Sequence, residues 1–205
     1  MKPRTSVSLK RWQKIIKRIE DITISIVFIL AALPTLLLIS ILIKLSSKGP
    51  IFVIAKRISK SNRVVNIYKF RTMKCIASDQ MPGLFRLRIG PSGHDDRLTI
   101  IGRALVKLRL DELPSLFNAL FGSISIVGTL FLHPNRYEEY DQKYGILIDA
   151  KPGITGPAAM LPYSPNSGLT SDDIINAEID YVRNWNVLLD LIIIAKTFTK
   201  GFRKR

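Results

Sequence analysis

The chain has 205 residues, of which 47% are hydrophobic, and its mean hydropathy is +0.17. This length and apolar content suffice for one folded domain with its own core, so they exclude an intrinsically disordered protein. Lysine and arginine exceed aspartate and glutamate by 31 − 16 = 15, which favours an anionic partner such as nucleic acid, phospholipid or a phosphorylated substrate. The single cysteine, Cys75, excludes an intrachain disulfide, and the presence of only two histidines argues against a zinc enzyme.

The first predicted element is a basic amphipathic helix within residues 1–21. Large apolar residues recur there at helical spacing, with lysine and arginine between them: Leu9, Trp12, Ile15, Ile16 and Ile19. A helix of this kind lies at a membrane surface, with Trp12 at the depth of the lipid headgroups.

An uncharged apolar segment follows, from Ile22 to Ile43. As a helix it is about 33 Å long, against a hydrocarbon core of roughly 30 Å, so we predict a membrane helix over residues 22–45. A secretory signal peptide fits poorly, because the basic leader and the apolar segment are both too long and Leu45–Pro50 is not a small-residue cleavage site.

The charges on both flanks of this segment predict how it meets the membrane. Seven basic residues precede it within residues 1–21, and nine basic residues with no acid lie between Lys44 and Ser78. The positive-inside rule therefore places both flanks on the cytoplasmic side, and Pro34 lies where a helix could bend. We predict a re-entrant helix that bends at Pro34; the alternative is a single span followed by a translocated domain.

Residues 46–205 are predicted to form a membrane-associated cytoplasmic domain of the α+β class, mostly helical with short strands. The strands are predicted at Ile51–Ala55 and Val64–Phe70. The helices are predicted at Ile100–Leu108, Glu112–Phe121, Asp172–Arg183 and Val187–Phe198.

Several short motifs then occur in one order along the chain. They are Asn66–Met73, Asp95–Thr99 with Ile101–Arg103, Leu110–Pro114, Asn118, Ser125–Gly128, Lys151–Gly156, and Tyr181–Trp185 with Leu189–Leu191. This order resembles the bacterial sugar transferase family, from about Lys14 to the C-terminus. The resemblance implies a monotopic phosphoglycosyl transferase on the cytoplasmic face of the bacterial inner membrane. Such enzymes begin the assembly of capsule, O-antigen, exopolysaccharide or glycoprotein glycans on a lipid carrier, and some of them are homodimers.

The resemblance implies that an adjacent carboxylate pair, Asp111 and Glu112, performs the chemistry. Asp111 is expected to attack the β-phosphate of a UDP-sugar, release UMP and hold the phosphosugar until polyprenyl (undecaprenyl) phosphate accepts it. Glu112 is expected to help bind Mg²⁺. A carboxylate is a competent nucleophile toward phosphorus, and a helix predicted to start at this pair would favour a bound phosphate. Taken alone, however, an Asp-Glu pair is also the ordinary beginning of a helix.

Further residues are candidates for substrate binding. Lys69 and Arg71 alternate along a predicted strand, which places both on one face; a solvated basic face is the alternative interpretation. Asp96 and Arg97 match the family pattern, although an exposed ion pair in a turn fits them equally well. The remaining basic candidates near the carboxylate pair in the sequence are Lys107, Arg109 and Arg136.

Two positions depart from the family pattern by losing positive charge. Leu130 and Val106 stand where many relatives carry arginine. The sequence thus leaves two interpretations, an active enzyme of a divergent branch or a catalytically lapsed member that serves as a membrane scaffold or binding subunit. Nucleic-acid binding is disfavoured, because a membrane surface explains the charge and no aromatic stacking platform or recognition motif is present.

Overall fold

The computed structural model describes residues 9–59, 63–73, 98–131, 151–161 and 171–201, and it mixes helices with short strands as expected. The helices are α1 (Arg11–Ser46), α2 (Ile100–Leu108), α3 (Ser115–Phe121), α4 (Ser171–Arg183) and α5 (Val187–Gly201). The strands are β1 (Phe52–Ser59), β2 (Arg63–Phe70), β3 (Ser125–Val127) and β4 (Gly153–Thr155). Short 3₁₀ turns lie at Leu110–Glu112 and Pro157–Met160.

The two N-terminal helices predicted separately are one continuous helix, α1, of 36 residues. Its first turn is closed by Gln13, whose side-chain oxygen accepts a hydrogen bond from the backbone N–H of Lys10 at 2.8 Å. Pro34 lies inside the helix. By length and composition α1 could cross a membrane.

The first half of α1 turns its polar side toward the protein and its apolar side outward. Lys17, Asp21 and Ser25, spaced four residues apart, are all buried, whereas Trp12 and Ile19 are 56% and 60% exposed. A surface helix of a water-soluble protein has the opposite arrangement. The outer face of α1 is therefore suited to lipid rather than to water.

A buried carboxylate on α5 holds α1 in this orientation. Asp190 accepts hydrogen bonds from Lys17 Nζ, from Tyr181 Oη at 2.8 Å and from Trp185 Nε1 at 2.9 Å. Asp190 is fully buried and Lys17 nearly so. A charge taken out of water is tolerated only with such partners, so the network ties α1 to α4 and α5.

Two further polar contacts fix α1 to the strands and to α3. Asp21 is fully buried and accepts hydrogen bonds from Ser125 Oγ at 2.7 Å and from the Ile126 backbone N–H at 2.9 Å. Arg18 donates to two carbonyl oxygens at the C-terminal end of α3, where a positive charge is favourable.

Apolar packing joins both halves of α1 to the same globular unit. Ile24, Phe28 and Ile29 pack against a core made by β2, β3, α3, α4 and α5. Further along, α1 contributes to a second cluster with β2 and α2, formed by Leu36, Ile39, Ile43, Phe70 and Leu105. Contacts to the domain thus extend along α1 from Lys17 to Ile43.

The strands form two separate pairs. β1 and β2 pair antiparallel, with Val53 opposite Lys69 and Arg57 opposite Val65. β3 and β4 form a short parallel pair that the sequence patterns did not predict. The two backbones approach closely, since a Cβ added at Gly128 would lie 2.4 Å from the carbonyl oxygen of Lys151. Glycine is therefore required there for steric reasons.

Asp190→Ala is expected to destabilise the fold strongly. The change removes the closer of the two counter-charges of buried Lys17, leaving Asp21 at 3.7 Å, and removes an acceptor from Tyr181 and Trp185. We expect a loss of roughly 3–5 kcal/mol in the free energy of unfolding, measured by denaturation of the detergent-purified protein. Asp180→Ala, at an exposed acid on α4, is the matched control and should change stability little. Equal stability of the two variants would contradict the role given to the network.

Candidate active site

The carboxylate pair lies on a tight turn between α2 and α3. Arg109 ends α2 in the left-handed conformation, with φ 57°, and Leu110–Glu112 forms a 3₁₀ turn. The prediction that a helix begins at Glu112 is wrong, because α3 begins at Ser115. Pro114 has no N–H to continue a helical ladder from the turn. Asp111 and Glu112 are thus presented by a turn and not by the first residues of α3.

The N-terminus of α2 is fixed against the segment that follows β2. The Thr99 hydroxyl caps α2 by accepting a hydrogen bond from the Gly102 N–H at 2.8 Å, and the Thr99 N–H donates to the Thr72 carbonyl at 2.9 Å. A Cβ at Gly102 would lie 1.9 Å from that same carbonyl oxygen. The motif residues around Gly102 therefore position α2 and the turn that follows it.

Asn118 fixes α3 to β2 on the other side of the turn. Its side-chain oxygen accepts a hydrogen bond from the Tyr68 N–H at 2.9 Å, and its side-chain nitrogen donates to the Asn66 carbonyl at 2.8 Å. These bonds satisfy backbone hydrogen-bonding groups along one edge of β2. They also fix the distance between that strand and the Asp111–Glu112 turn.

Lys69 of β2 contacts this turn directly. Its Nζ lies 2.7 Å from Glu112 Oε1, and both side chains are partly exposed, at 24% and 31%. Burial raises the pKa of Asp111, and the charge of Glu112 raises it further, whereas Lys69 and Arg109 oppose the rise. Asp111 is thus a basic carboxylate that nearby cations help to keep ionised, which suits a nucleophile.

Arg57 of β1 is a site residue that the sequence analysis missed. It lies on the same face of the β1–β2 pair as Lys69, because Val53 lies directly opposite Lys69 and Arg57 follows Val53 by an even number of residues. Burial lowers the pKa of its guanidinium, and the negative charge of Glu112 opposes this. The described part of the chain gives Arg57 no ion pair within 4.0 Å. The signal that could have identified Arg57 is the alternation of side chains along β1. Arg57 is four residues after Val53, the residue opposite Lys69, and so shares its face.

The predicted binding residues separate into three groups. Lys69 lies at the carboxylate pair, and Lys107 and Arg109 are exposed at the end of α2 next to it. Arg71 is buried and turned to the C-terminal end of α1, where it donates to the carbonyls of Ser47 at 2.7 Å and Lys48 at 3.0 Å. The positions of the other three lie outside the described residues: Asp96, Arg97 and Arg136.

The two positions where the resemblance leads us to expect arginine are both open to solvent. Leu130 follows β3 and is 43% exposed, and Val106 on α2 is 40% exposed. Neither side chain fills a core position, so an arginine would fit at either place without burying its charge.

The donor set of the turn fits a magnesium ion. Mg²⁺ prefers hard oxygen ligands, and it commonly takes one or two carboxylates and completes its shell with phosphate oxygens and water. Asp111 and Glu112 offer two adjacent carboxylates, and Lys69 contacts Glu112 through Oε1 alone. Among the described residues no group of three or more His, Cys, Asp or Glu could hold a metal ion. The turn therefore suits an ion shared with a phosphorylated ligand.

Comparison with known families matches residues 12–204 to the bacterial sugar transferases. The UDP-glucose:undecaprenyl-phosphate glucose-1-phosphate transferase of Klebsiella pneumoniae is 33% identical over 92% of this chain and 40% of its own length. The UDP-N-acetylgalactosamine-undecaprenyl-phosphate N-acetylgalactosaminephosphotransferase of Aeromonas hydrophila is 35% identical over 89% of this chain and 42% of its own.

A shorter relative is covered over most of its length. The exopolysaccharide production protein ExoY of Sinorhizobium fredii is 32% identical over 88% of this chain and 83% of its own length. By contrast, the chain spans about two fifths of the length of the Klebsiella and Aeromonas relatives.

The Lys69→Met substitution is expected to raise the pKa of Asp111 further. The lysine charge lowers that pKa in the native protein. Its removal leaves the raising effects of burial and of the Glu112 charge opposed only by a backbone hydrogen bond and by Arg109. The measurement is a ¹³C-carboxyl NMR titration of the detergent-solubilised protein, with Asp111→Asn to assign the signal. Lys56→Met, at an exposed lysine on the opposite face of β1, should leave the pKa unchanged. A midpoint that does not move in Lys69→Met would refute the electrostatic coupling.

Proposed function

The chain belongs to the bacterial sugar transferase family, and we propose that it transfers a sugar-1-phosphate from a UDP-sugar to undecaprenyl phosphate. The observation that carries this proposal is the Asp111–Glu112 turn, held beside Lys69 by the contacts of Asn118 and Gly102. The names of the Klebsiella and Aeromonas relatives support the acceptor and the type of donor. The product would be the first lipid-linked intermediate of a bacterial glycan.

In the proposed mechanism the reaction has two displacements at one phosphorus atom. The Asp111 carboxylate attacks the β-phosphorus of the UDP-sugar, the bond to the oxygen that bridges the two phosphates breaks, and UMP leaves with the electron pair. A phosphate oxygen of undecaprenyl phosphate then attacks the same phosphorus, and the bond to Asp111 breaks. The carboxylate is restored and both substrates use one site.

The other residues of the site hold charge. Lys69 keeps Asp111 ionised and, together with Arg57 on the same face, offsets the negative charge of the diphosphate. Lys107 and Arg109 are exposed at the rim and are placed to attract anionic substrates. Glu112 would hold Mg²⁺, which when bound neutralises phosphate charge and stabilises the leaving UMP.

We also propose that α1 is re-entrant and that the domain lies on the cytoplasmic face of the inner membrane. At one end of the apolar segment, Lys17 and Asp21 contact α5 and β3. At the other end, Arg71 binds the carbonyls of Ile43 and Ser47. A straight crossing by residues 22–43 would separate these contacts by about 33 Å across the bilayer. Because both ends contact one globular unit, the arrangement supports entry and exit at the same face.

Release of UMP is the test of the proposed activity. Protein in nanodiscs is incubated with Mg²⁺, undecaprenyl phosphate and a panel of UDP-sugars. We expect release that depends on one donor and falls at least about a thousandfold in Asp111→Asn, because the nucleophile is lost. Asp180→Asn, at an exposed acid of α4, is the matched control and should keep full activity. Without acceptor, intact-mass spectrometry should detect one phosphosugar on the native chain and none on Asp111→Asn.

The alternative outcomes of this test are informative. Release that persists in Asp111→Asn would reject Asp111 as the nucleophile. A folded protein that binds UDP but releases no UMP with any donor would favour the lapsed scaffold, and arginine at Leu130 and Val106 would then be expected to restore turnover.

Labelling in sealed inside-out vesicles tests the topology. Cysteines placed at Lys10, one residue before α1, and at Lys48, two residues after it, are expected to react with a membrane-impermeant maleimide from the same side. Cys75→Ser supplies the background for both. Reaction of the two positions from opposite sides would instead establish a single span.

A further inference from the structure

A buried acid on α4, Glu178, takes no part in the network around Asp190. Its side chain is fully buried. Within the described part of the chain neither of its carboxyl oxygens has a hydrogen-bond partner, and no ion pair includes it. Buried carboxyl groups are nearly always paired, so the isolation of this one requires a physical explanation.

Glu178 lies where three segments of the chain meet. The backbone N–H groups of Leu130, after β3, and of Ala158, in the 3₁₀ turn after β4, approach its carboxyl group and lower its pKa, but neither makes a hydrogen bond of normal geometry with it. Gly156 is adjacent, since a Cβ added there would lie 3.6 Å from Glu178 Oε1 and 2.3 Å from the Gly128 carbonyl oxygen. We refer to Glu178, Leu130, Gly156 and Ala158 as the Glu178 junction.

No charge within the Glu178 junction could keep the carboxyl group ionised. The segments around it contain no titratable side chain: Gly128–Phe131, Gly153–Thr155 and Pro157–Met160. Among the described residues, no charged side chain contributes to the pKa of Glu178. The charged and titratable groups of α4 and α5 lie elsewhere: Asp173, Asp180, Arg183 and Lys196 are exposed, and Asp190 is bound by Lys17 and Tyr181.

Burial without a counter-charge favours the neutral form of a carboxyl group. It raises the pKa of Glu178 from 4.5 to about 8, although the two backbone N–H groups oppose the rise. At neutral pH the folded chain therefore holds a proton on Glu178, whereas the same side chain in water is ionised. Ionisation inside the junction would leave a buried negative charge with only two poorly aligned donors, which is unfavourable.

We propose that the Glu178 junction is a pH-sensitive clamp on the ends of β3 and β4. It is closed while Glu178 holds its proton, and it opens locally when the carboxyl group is ionised and hydrated. β3 and β4 are only three residues long each, so their ends can open without unfolding the rest of the domain. Leu130, whose side chain is 43% exposed, is carried by one of the clamped segments. This inference stands whether or not the transferase reaction is confirmed.

The pH dependence of the clamp has a defined direction. An acid whose pKa is higher in the closed form stabilises that form below its ordinary pKa, and this contribution is lost as the pH rises through the higher value. The equilibrium constant for opening should therefore rise about tenfold per pH unit above 4.5 and level off near pH 8. Between pH 6 and pH 8 the expected rise is about fiftyfold.

Amide hydrogen exchange of the full chain in nanodiscs, measured by mass spectrometry from pH 6 to pH 8, tests the clamp. Protection factors, which correct for the pH dependence of intrinsic exchange, are compared for peptides that contain Leu130 or Ala158. We expect them to fall about fiftyfold in the native chain. They should stay constant in Glu178→Gln, which is uncharged and of nearly the same size. Asp180→Asn, at an exposed acid on the same helix, is the matched control and should behave as the native chain.

Three results would overturn the proposal. Protection in the native chain that does not change with pH rejects the clamp without any variant. A fall of equal size in Glu178→Gln would assign the pH dependence to another group. An equal fall in peptides from Arg63–Phe70 would show global unfolding in place of local opening. Should Glu178→Gln fail to fold, Glu178→Met, which is apolar and of similar volume, replaces it with the same expectation.

Discussion

The buried carboxylate of Asp190 is the constraint on which the rest of the architecture depends. Three donors from two distant parts of the chain satisfy it: Lys17 on α1, and Tyr181 and Trp185 at the end of α4. An ionised group in the interior is costly unless all its partners are present, so the network admits one relative placement of α1, α4 and α5. Once Lys17 is inside, Trp12 and Ile19 on the other side of the first half of α1 face outward, so this exposed apolar face follows from a polar contact.

The same placement couples the membrane helix to the candidate site. At its far end α1 is capped by Arg71, which binds carbonyl oxygens of Ile43 and Ser47. Arg71 follows the end of β2 and lies two residues after Lys69, which contacts Glu112. The end of the apolar helix and the carboxylate turn are therefore joined through a few residues of one strand. This short connection would serve the proposed transfer to a membrane-bound acceptor.

The sequence predicted much of the local structure, because helical periodicity and strand alternation are local properties. It placed α2 and both strands of the β1–β2 pair, and it singled out Lys69 and Glu112, which are in contact. It could not place Arg71 at the end of α1 or Arg57 within the electrostatic influence of Glu112, since both depend on how distant segments pack together. Periodicity also identifies an apolar helix face without indicating whether that face is buried or exposed. The inverted orientation of α1 became visible only from its partners.

The family motifs divide between residues that can react and residues that hold them in place. Gly102 and Asn118 fix the two sides of the Asp111–Glu112 turn, and neither needs to touch a substrate to be indispensable. This division bears on the missing arginines at Leu130 and Val106. Lys69 and Arg109 both oppose the raised pKa of Asp111, and Arg57 on β1 interacts with the charge of Glu112. The absence of arginine at positions 130 and 106 therefore leaves the Asp111–Glu112 turn with cations of its own.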